Sequence, residues 1–428
     1  MKKMLFILFV LPLAAFAQSF LISNIPVPKT YIQNLDPYAC DEWCMQNYIN
    51  NEMIFSFLAH AQSKLDNEEQ DEMRMMYISI LNLGSTINSD KIKIALLLPY
   101  KRIGKYASST TNAAFAYLIT KNKSFELKSY KIENENIDAI KKALTNIKND
   151  GFSHVIAPLT KKGAFSVAQI NPSINIFFPT INKKNTDSNS SYLHYGGIDY
   201  EAQSDLLLKE AIAPLVIFYD KSSLGKKLAL YEEHSFQYET LGDENATDEY
   251  GALIKPKTIK IPERKVIKFS IPRGTTNLQR YLKNNKDINN STSFINTPII
   301  KTSMIMSQLT LYDTNTTRIL STQINYDPLI LSMTQYIDRK KMIIANSITE
   351  HNNILTETNA ILSNDIEYDW INYTTTIGVD YFFSILTNEE REYNVDFIDQ
   401  QMVYPIELLK PSISRFIKYT PTLKHSEY

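Results

Sequence analysis

Beyond residue 90 the chain alternates between short unbroken apolar runs and longer stretches whose apolar residues recur at helical spacing. The run 92–98, ended by Pro99, reads as a strand buried on both faces. A helix is predicted over 110–120 and a strand over 125–132. An amphipathic helix over 137–149 follows, stopped by Gly151. Then come a strand at 154–158, a helix at 163–170 and a strand at 174–179. After a polar loop, 182–191, the order repeats. Helices are predicted at 201–212, 224–238, 276–284 and 304–312, and strands at 214–219, 265–271, 292–296 and 318–324. A further strand at 342–346, an amphipathic helix at 370–386 and two short strands within 402–419 complete the pattern. Such alternation predicts βαβ units, hence parallel sheets with helices on both faces.

The first 90 residues follow another rule. Residues 18–35 look extended, with Pro26 and Pro28. From 41 to 83 the spacing is helical, interrupted by the charged link 67–72 and stopped by Gly84, as in a helical hairpin. Met73, Met75 and Met76 sit at helical spacing, which suits packing better than a partner surface. The expected organisation is therefore a leader at 1–17 and an extended and helical segment at 18–88. A first lobe at 89–198, completed by about 326–390, a second lobe at 199–325, and terminal strands at 391–428 follow.

The leader changes the picture of where the chain works. Lys2 and Lys3 precede a short apolar stretch, and Ala15-Phe16-Ala17 offers small residues for cleavage after Ala17. The stretch is too short for a stable bilayer span, and no later run reaches about 20 apolar residues. A periplasmic protein without a membrane span is expected. Lys and Arg total 45 against 46 Asp and Glu, a net charge of −1, which disfavours nucleic acid as a partner.

Cys40 and Cys44 are the only cysteines. In an oxidising compartment a structural disulfide is the expected state. A redox pair would normally have the tighter C-x2-C spacing, and a zinc site would need further ligands, the nearest histidine being His60. The six histidines form no H-E-x-x-H set, and no P-loop, G-x-S-x-G or G-x-G-x-x-G occurs. Asp365, Glu367 and Asp369 precede the 370–386 helix, where acidic charge favours a helix start. No catalysis, metal or cofactor is expected.

Several phrases, in order, resemble the type 1 periplasmic binding proteins. They are Ile94-Ala95-Leu96-Leu97-Leu98-Pro99, the stretches 154–169, 176–182, 214–229 and 269–282, and Ile377-Gly378-Val379-Asp380-Tyr381. The resemblance covers about 90–420. It implies an α/β, two-lobed fold of two parallel-sheet Rossmann-like lobes, here with a short N-terminal helical segment. The opening phrase and Ala168-Gln169-Ile170-Asn171-Pro172 are closest in flavour to the C-terminal domain of lipoprotein activators of penicillin-binding proteins. A lipobox cysteine and the long helical repeat domain of those activators are missing.

In that fold, ligands lie between the lobes, at strand C-termini and helix N-termini that favour anions. The resemblance places Tyr100, Thr160, Lys161, Thr180 and Asn182 on the first lobe, facing Tyr219 and Ser222 on the second. It also shows departures: 101–109 lacks the Ser-Gly phrase of amino-acid receptors, and Lys161-Lys162 replaces a small hydroxyl pair. The primary expectation is a non-catalytic interaction or regulatory scaffold with an envelope protein partner. The alternative is a solute receptor for a small polar, amino-acid-like or amide ligand.

Four stretches read acidic-x-Asn-x-Ser/Thr, centred on Asn189, Asn245, Asn289 and Asn315. They resemble the extended acceptor sequence of bacterial N-glycosylation, and all fall in polar loops.

Overall fold

The computed structural model describes residues 32–36, 38–81, 91–121, 123–186, 188–241 and 257–421. The expected leader, Pro26, Pro28, Gly84 and Asn245 lie outside them. The chain divides into two compact units, residues 1–91 with 126–128, and 92–125 with 129–428.

Three helices, not a hairpin, build the first unit: α1 (Glu42–Asn50), α2 (Ile54–His60) and α3 (Glu68–Ile80). The Asp41 carboxylate caps α1, accepting from the Cys44 amide at 2.9 Å. The stretch expected as a charged link is the start of α3. The Asn67 side chain accepts from the Gln70 amide there at 3.1 Å, and Glu68, Glu69 and Asp71 fill the first turn. Negative charge is favourable at that end of a helix. Met45, Phe57, Leu58 and Ala61 form the core, with Met73 packed against it, while Met75 and Met76 are exposed. Cys40 and Cys44 form a disulfide across a Cα separation of 5.3 Å, at the start of α1.

In the second unit the first sheet carries β1 (Ile92–Leu98), β2 (Phe125–Lys131), β3 (His154–Ile156), β4 (Asn175–Phe178) and β5 (Leu193–Tyr195). Helices α4 (Tyr106–Ile119), α5 (Ile137–Asn149) and α6 (Lys161–Ile170) connect them. In β1 every side chain except Lys93 is buried, as a strand covered on both faces requires. Asn136 caps α5, accepting from the Ala139 amide at 2.8 Å, and Ile140, Ala143, Leu144 and Ile147 form its buried stripe. Gly151, at φ 79°, ends that segment in a conformation glycine adopts without strain.

The second lobe repeats the plan. It contains α7 (Tyr200–Leu208), β6 (Leu215–Tyr219), α8 (Ser223–Gln237), an antiparallel pair of β7 (Tyr238–Leu241) and β8 (Lys257–Lys260) that forms a small sheet of its own, β9 (Val266–Ser270), β10 (Thr292–Asn296), α9 (Ile299–Leu311), β11 (Arg318–Ser321), α10 (Leu329–Met333) and β12 (Met342–Asn346). The helix expected over 276–284 is a single turn, Gln279–Leu282, and Asn284 takes the left-handed conformation at φ 58° just beyond it. The chain then returns to the first lobe as α11 (Asn353–Ile361), α12 (Trp370–Thr387), β13 (Asp396–Ile398) and β14 (Gln401–Val403). It ends in the second with β15 (Glu407–Pro411) and β16 (Phe416–Lys418). Strand β12, read from sequence as part of the returning segment, pairs with β11 in the second sheet.

Both sheets have seven strands, ordered β13-β14-β5-β4-β3-β1-β2 and β16-β15-β12-β11-β10-β6-β9. In the first, β13–β14 is antiparallel and the pairs from β14 through β5, β4 and β3 to β1 are parallel; in the second, β16–β15 and β15–β12 are antiparallel and the pairs from β12 through β11, β10 and β6 to β9 are parallel. Strand order therefore reverses beside β1 in one lobe and beside β6 in the other. The crevice at such a reversal, at the strand C-termini, is where open α/β sheets hold ligands.

Candidate functional site

Helix α6 starts at the C-terminal side of β3, beside that reversal. Thr160 is its N-cap, the hydroxyl accepting from the Gly163 amide at 3.5 Å. The first-turn amides of a helix form a ready anion seat. Here the chain's own carboxylate is bound at the N-cap residue beside those amides. The Thr160 amide donates to Glu135 Oε1 at 2.7 Å, and the Thr160 hydroxyl donates to Oε2. Glu135 is only 4% exposed. A Cβ on Gly163 would lie 2.8 Å from Glu135 Oε1, so glycine leaves the room the carboxylate fills. The Ser166 hydroxyl, one turn on, donates to the Glu135 carbonyl at 3.0 Å.

The second lobe has the same device. Ser222 caps α8, its hydroxyl accepting from the Gly225 amide at 2.9 Å. The Ser222 amide and hydroxyl donate to Asp220 Oδ1 at 3.1 and 2.5 Å. A Cβ on Gly225 would meet that oxygen at 2.3 Å. The sequence reading missed both carboxylates. Its only signal was a glycine three residues after each hydroxyl cap.

Of the other residues expected at the site, Asn182 is buried and engaged. Its amide nitrogen donates to the Gly197 carbonyl at 3.2 Å and its oxygen accepts from the Lys184 amide at 3.0 Å. Tyr100 is half-buried at the first turn after Pro99, with the Lys131 ammonium 5.9 Å from its ring centre. Tyr219 packs against the core of the second lobe. Lys161 and Thr180 are exposed. Among these residues only Asn182 lines a cleft of about 80 Å³ where the chain crosses between lobes. That cleft also takes in Lys184, Asp199, Tyr200, Glu201 and Lys227. Lys184 pairs with Asp199 at 2.6 Å, and Lys227 with Glu201 at 2.8 Å. Burial pushes the Tyr200 phenol up to about 12. The volume falls well below the roughly 300 Å³ of a small-ligand pocket.

The crossing is also tied from within. The Thr374 hydroxyl on α12 lies 3.0 Å from the Pro179 carbonyl, 2.9 Å from the Gly196 carbonyl and 2.9 Å from the Tyr404 hydroxyl. The Gln401 amide nitrogen donates to the Gly197 carbonyl at 3.3 Å. A Cβ on Gly197 would stand 2.3 Å from the Asn182 backbone nitrogen, so the two chain segments touch backbone to backbone.

Two histidines sit away from this cleft, His154 on β3 and His194 on β5, the strands on either side of β4. Asn175 bridges them, lying 3.2 Å from His154 Nε2 and 3.2 Å from His194 Nε2. Burial pushes both imidazoles down to about 4, His154 adding to the effect at His194. Among the described residues no group of three or more His, Cys, Asp or Glu could hold a metal ion, and no helix is long and apolar enough to cross a membrane.

No protein-family model matches the chain, and no curated protein does. Solved structures do match its fold. A putative branched-chain amino acid ABC transporter protein of Rhodospirillum rubrum aligns with a TM-score of 0.56 and 8% identity, over 77% of this chain and 100% of the other. The branched-chain amino acid transporter substrate binding protein LivJ of Streptococcus pneumoniae, in complex with isoleucine, gives 0.52 and 11%, over 76% and 97%. LpoA of Haemophilus influenzae, a penicillin-binding protein activator lipoprotein, gives 0.50 and 10%, over 89% and 73%. The chain thus has the two-lobed α/β fold of the type 1 periplasmic binding proteins. These similar structures are binding proteins and a regulatory lipoprotein, not enzymes.

Proposed function

We propose that the protein is a non-catalytic periplasmic scaffold, exported with cleavage after Ala17, that uses a binding-protein fold to engage an envelope protein partner. One observation carries this reading: in both lobes the helix start that would receive a ligand anion holds the chain's own carboxylate, Glu135 or Asp220. A free amino acid would have to displace a tethered group whose effective concentration is far above its own. The small crossing cleft and the ties at Thr374 support a cleft that neither admits a solute nor opens around one. The likeness to LpoA is compatible with a regulatory role in the envelope, and the likeness to LivJ with the competing reading as a solute receptor.

A thermal-shift screen over amino acids, peptides and muropeptides separates the two. The scaffold reading expects a flat melting temperature throughout, and a specific envelope protein retained in affinity capture from solubilised envelopes. A saturable rise of several degrees with one amino acid or amide, abolished in Thr180→Ala, would establish the receptor instead. Loss of the leader's function is tested separately: Ala17→Arg should leave an uncleaved precursor, and periplasmic fractions of wild type should begin at Gln18.

A further inference from the structure

We propose that Asn189 is a glycan acceptor in the exported protein, and that folding closes the otherwise similar sequons at Asn289 and Asn315. All three share an acidic residue two positions before the asparagine and a hydroxyl two positions after it. A transferase must bring the amide nitrogen to an anomeric carbon while reading that hydroxyl. Both groups therefore have to leave the protein surface together, on a stretch that can extend.

Asn189 meets that requirement. It lies in an irregular segment ahead of β5, and both Asn189 and Ser191 are exposed. Among the described residues neither side chain makes a hydrogen bond. The local ties are two long ones, the Ser190 amide to the Ser188 hydroxyl at 3.3 Å and the Leu193 amide to the Ser190 carbonyl at 3.3 Å.

The other two sequons lock each other. Asn315, at φ 48°, donates from its amide nitrogen to the Asn290 side-chain oxygen at 2.7 Å. The Thr317 hydroxyl, which a transferase would read, donates to the Ser291 carbonyl at 2.7 Å, and the Thr317 amide donates to the same carbonyl at 2.8 Å. Ser291, the hydroxyl residue of the Asn289 sequon, is 1% exposed, and Thr316 is 6% exposed. One residue further, Thr292 and Arg318 are register partners in the parallel β10–β11 ladder. Presenting either sequon would unzip the start of two core strands. Opening of such elements approaches the global unfolding free energy, whereas opening of a loop costs almost nothing.

The donor is an oligosaccharide linked to a polyprenyl diphosphate. The Asn189 amide nitrogen attacks the anomeric carbon and a C–N bond forms. The bond from that carbon to the diphosphate oxygen breaks, polyprenyl diphosphate leaves, and the amide proton passes to a base of the transferase.

The test is site-resolved mass spectrometry of protein recovered from the periplasmic fraction of its own cells. The peptide bearing Asn189 should be heavier by one oligosaccharide, and those bearing Asn289 and Asn315 should be bare. Asn189→Gln should be exported in equal amount and lose that mass. An unmodified Asn189 in periplasmic protein, or a glycan on Asn289 or Asn315, overturns the proposal without touching the scaffold reading. Synthetic peptides spanning 185–193 and 311–319, given to a bacterial transferase with its lipid-linked donor, should both be modified. If only the first is, sequence and not folding closes Asn315, and that half of the proposal fails.

Discussion

Glu135 shows how a single side chain decides what a cleft can do. Its carboxylate accepts from both polar groups of Thr160, so Glu135→Ala leaves a backbone donor and a hydroxyl without partners. Such a loss costs about 1–3 kcal/mol. The vacated seat should then take a small free carboxylate. We expect the melting temperature of Glu135→Ala to fall by several degrees and to recover in part with tens of millimolar formate or acetate, while wild type stays unmoved. Equal responses of the two proteins would show that Glu135 is not the occupant of that seat. His154 and His194 act at the same scale through pH. Their folded pKa values of about 4 lie below the unfolded value of about 6.5, so the unfolded chain binds protons first. Stability is therefore complete above pH 6.5 and is lost as pH falls from there toward 4. Each imidazole accounts for about 3 kcal/mol, and the two are coupled through Asn175. Urea midpoints at pH 7.5, 6 and 5, with imidazole chemical shifts that stay neutral at pH 5.5, check this. Two histidines titrating near 6.5 would remove it.

At the scale of elements, helix α12 sets how closely lobe one can pack. The aromatic ring of Phe177 on β4 lies where a side chain at Gly378 would project, 2.3 Å from the position a Cβ would take. Phe177 is fully buried and cannot swing away. Gly378→Ala should therefore destabilise by about 1–3 kcal/mol through overpacking, despite alanine's better helix propensity. Gly274, which has nothing within 4 Å of such a Cβ, is the control, and Gly274→Ala should be near neutral. Asp380 on the same helix accepts from the Tyr117 hydroxyl at 2.7 Å and from the Glu392 amide at 2.8 Å, joining α12 to α4 and to the segment after it. Elements of this kind were the most legible part of the chain. The stripe of α5 and the apolar run of β1 announce themselves because burial on one or both faces leaves a period. The three-residue strand β5 and the β7–β8 pair left no such trace, since a few residues hold no measurable period.

For the whole molecule, the decisive feature is that three segments cross between the lobes and that the first and third are fastened to one helix residue. Thr374 meets the end of β4, the first crossing at Gly196 and the third at Tyr404. Thr374→Val keeps the shape and removes the hydroxyl. We expect a loss of about 1–3 kcal/mol and faster hydrogen exchange at the Gly196 and Gly197 amides. These now donate to Phe178 and Ile181 carbonyls at 2.9 and 3.0 Å. Unchanged exchange there would mean that Thr374 does not hold the crossing.

The order of apolar runs and amphipathic stretches was enough to infer two parallel-sheet lobes, because hydrophobic burial acts through spacing along the chain. The family resemblance singled out Thr160 and Ser222 as site residues, and the structure shows both hydroxyls capping helices. Whether those hydroxyls remain available depended on contacts over distance: Glu135 arrives from 25 residues upstream to reach Thr160, and Thr374 from 178 residues downstream to reach Gly196. A carboxylate carries no label of the donor it will meet, so only the folded chain reveals which polar groups are already satisfied.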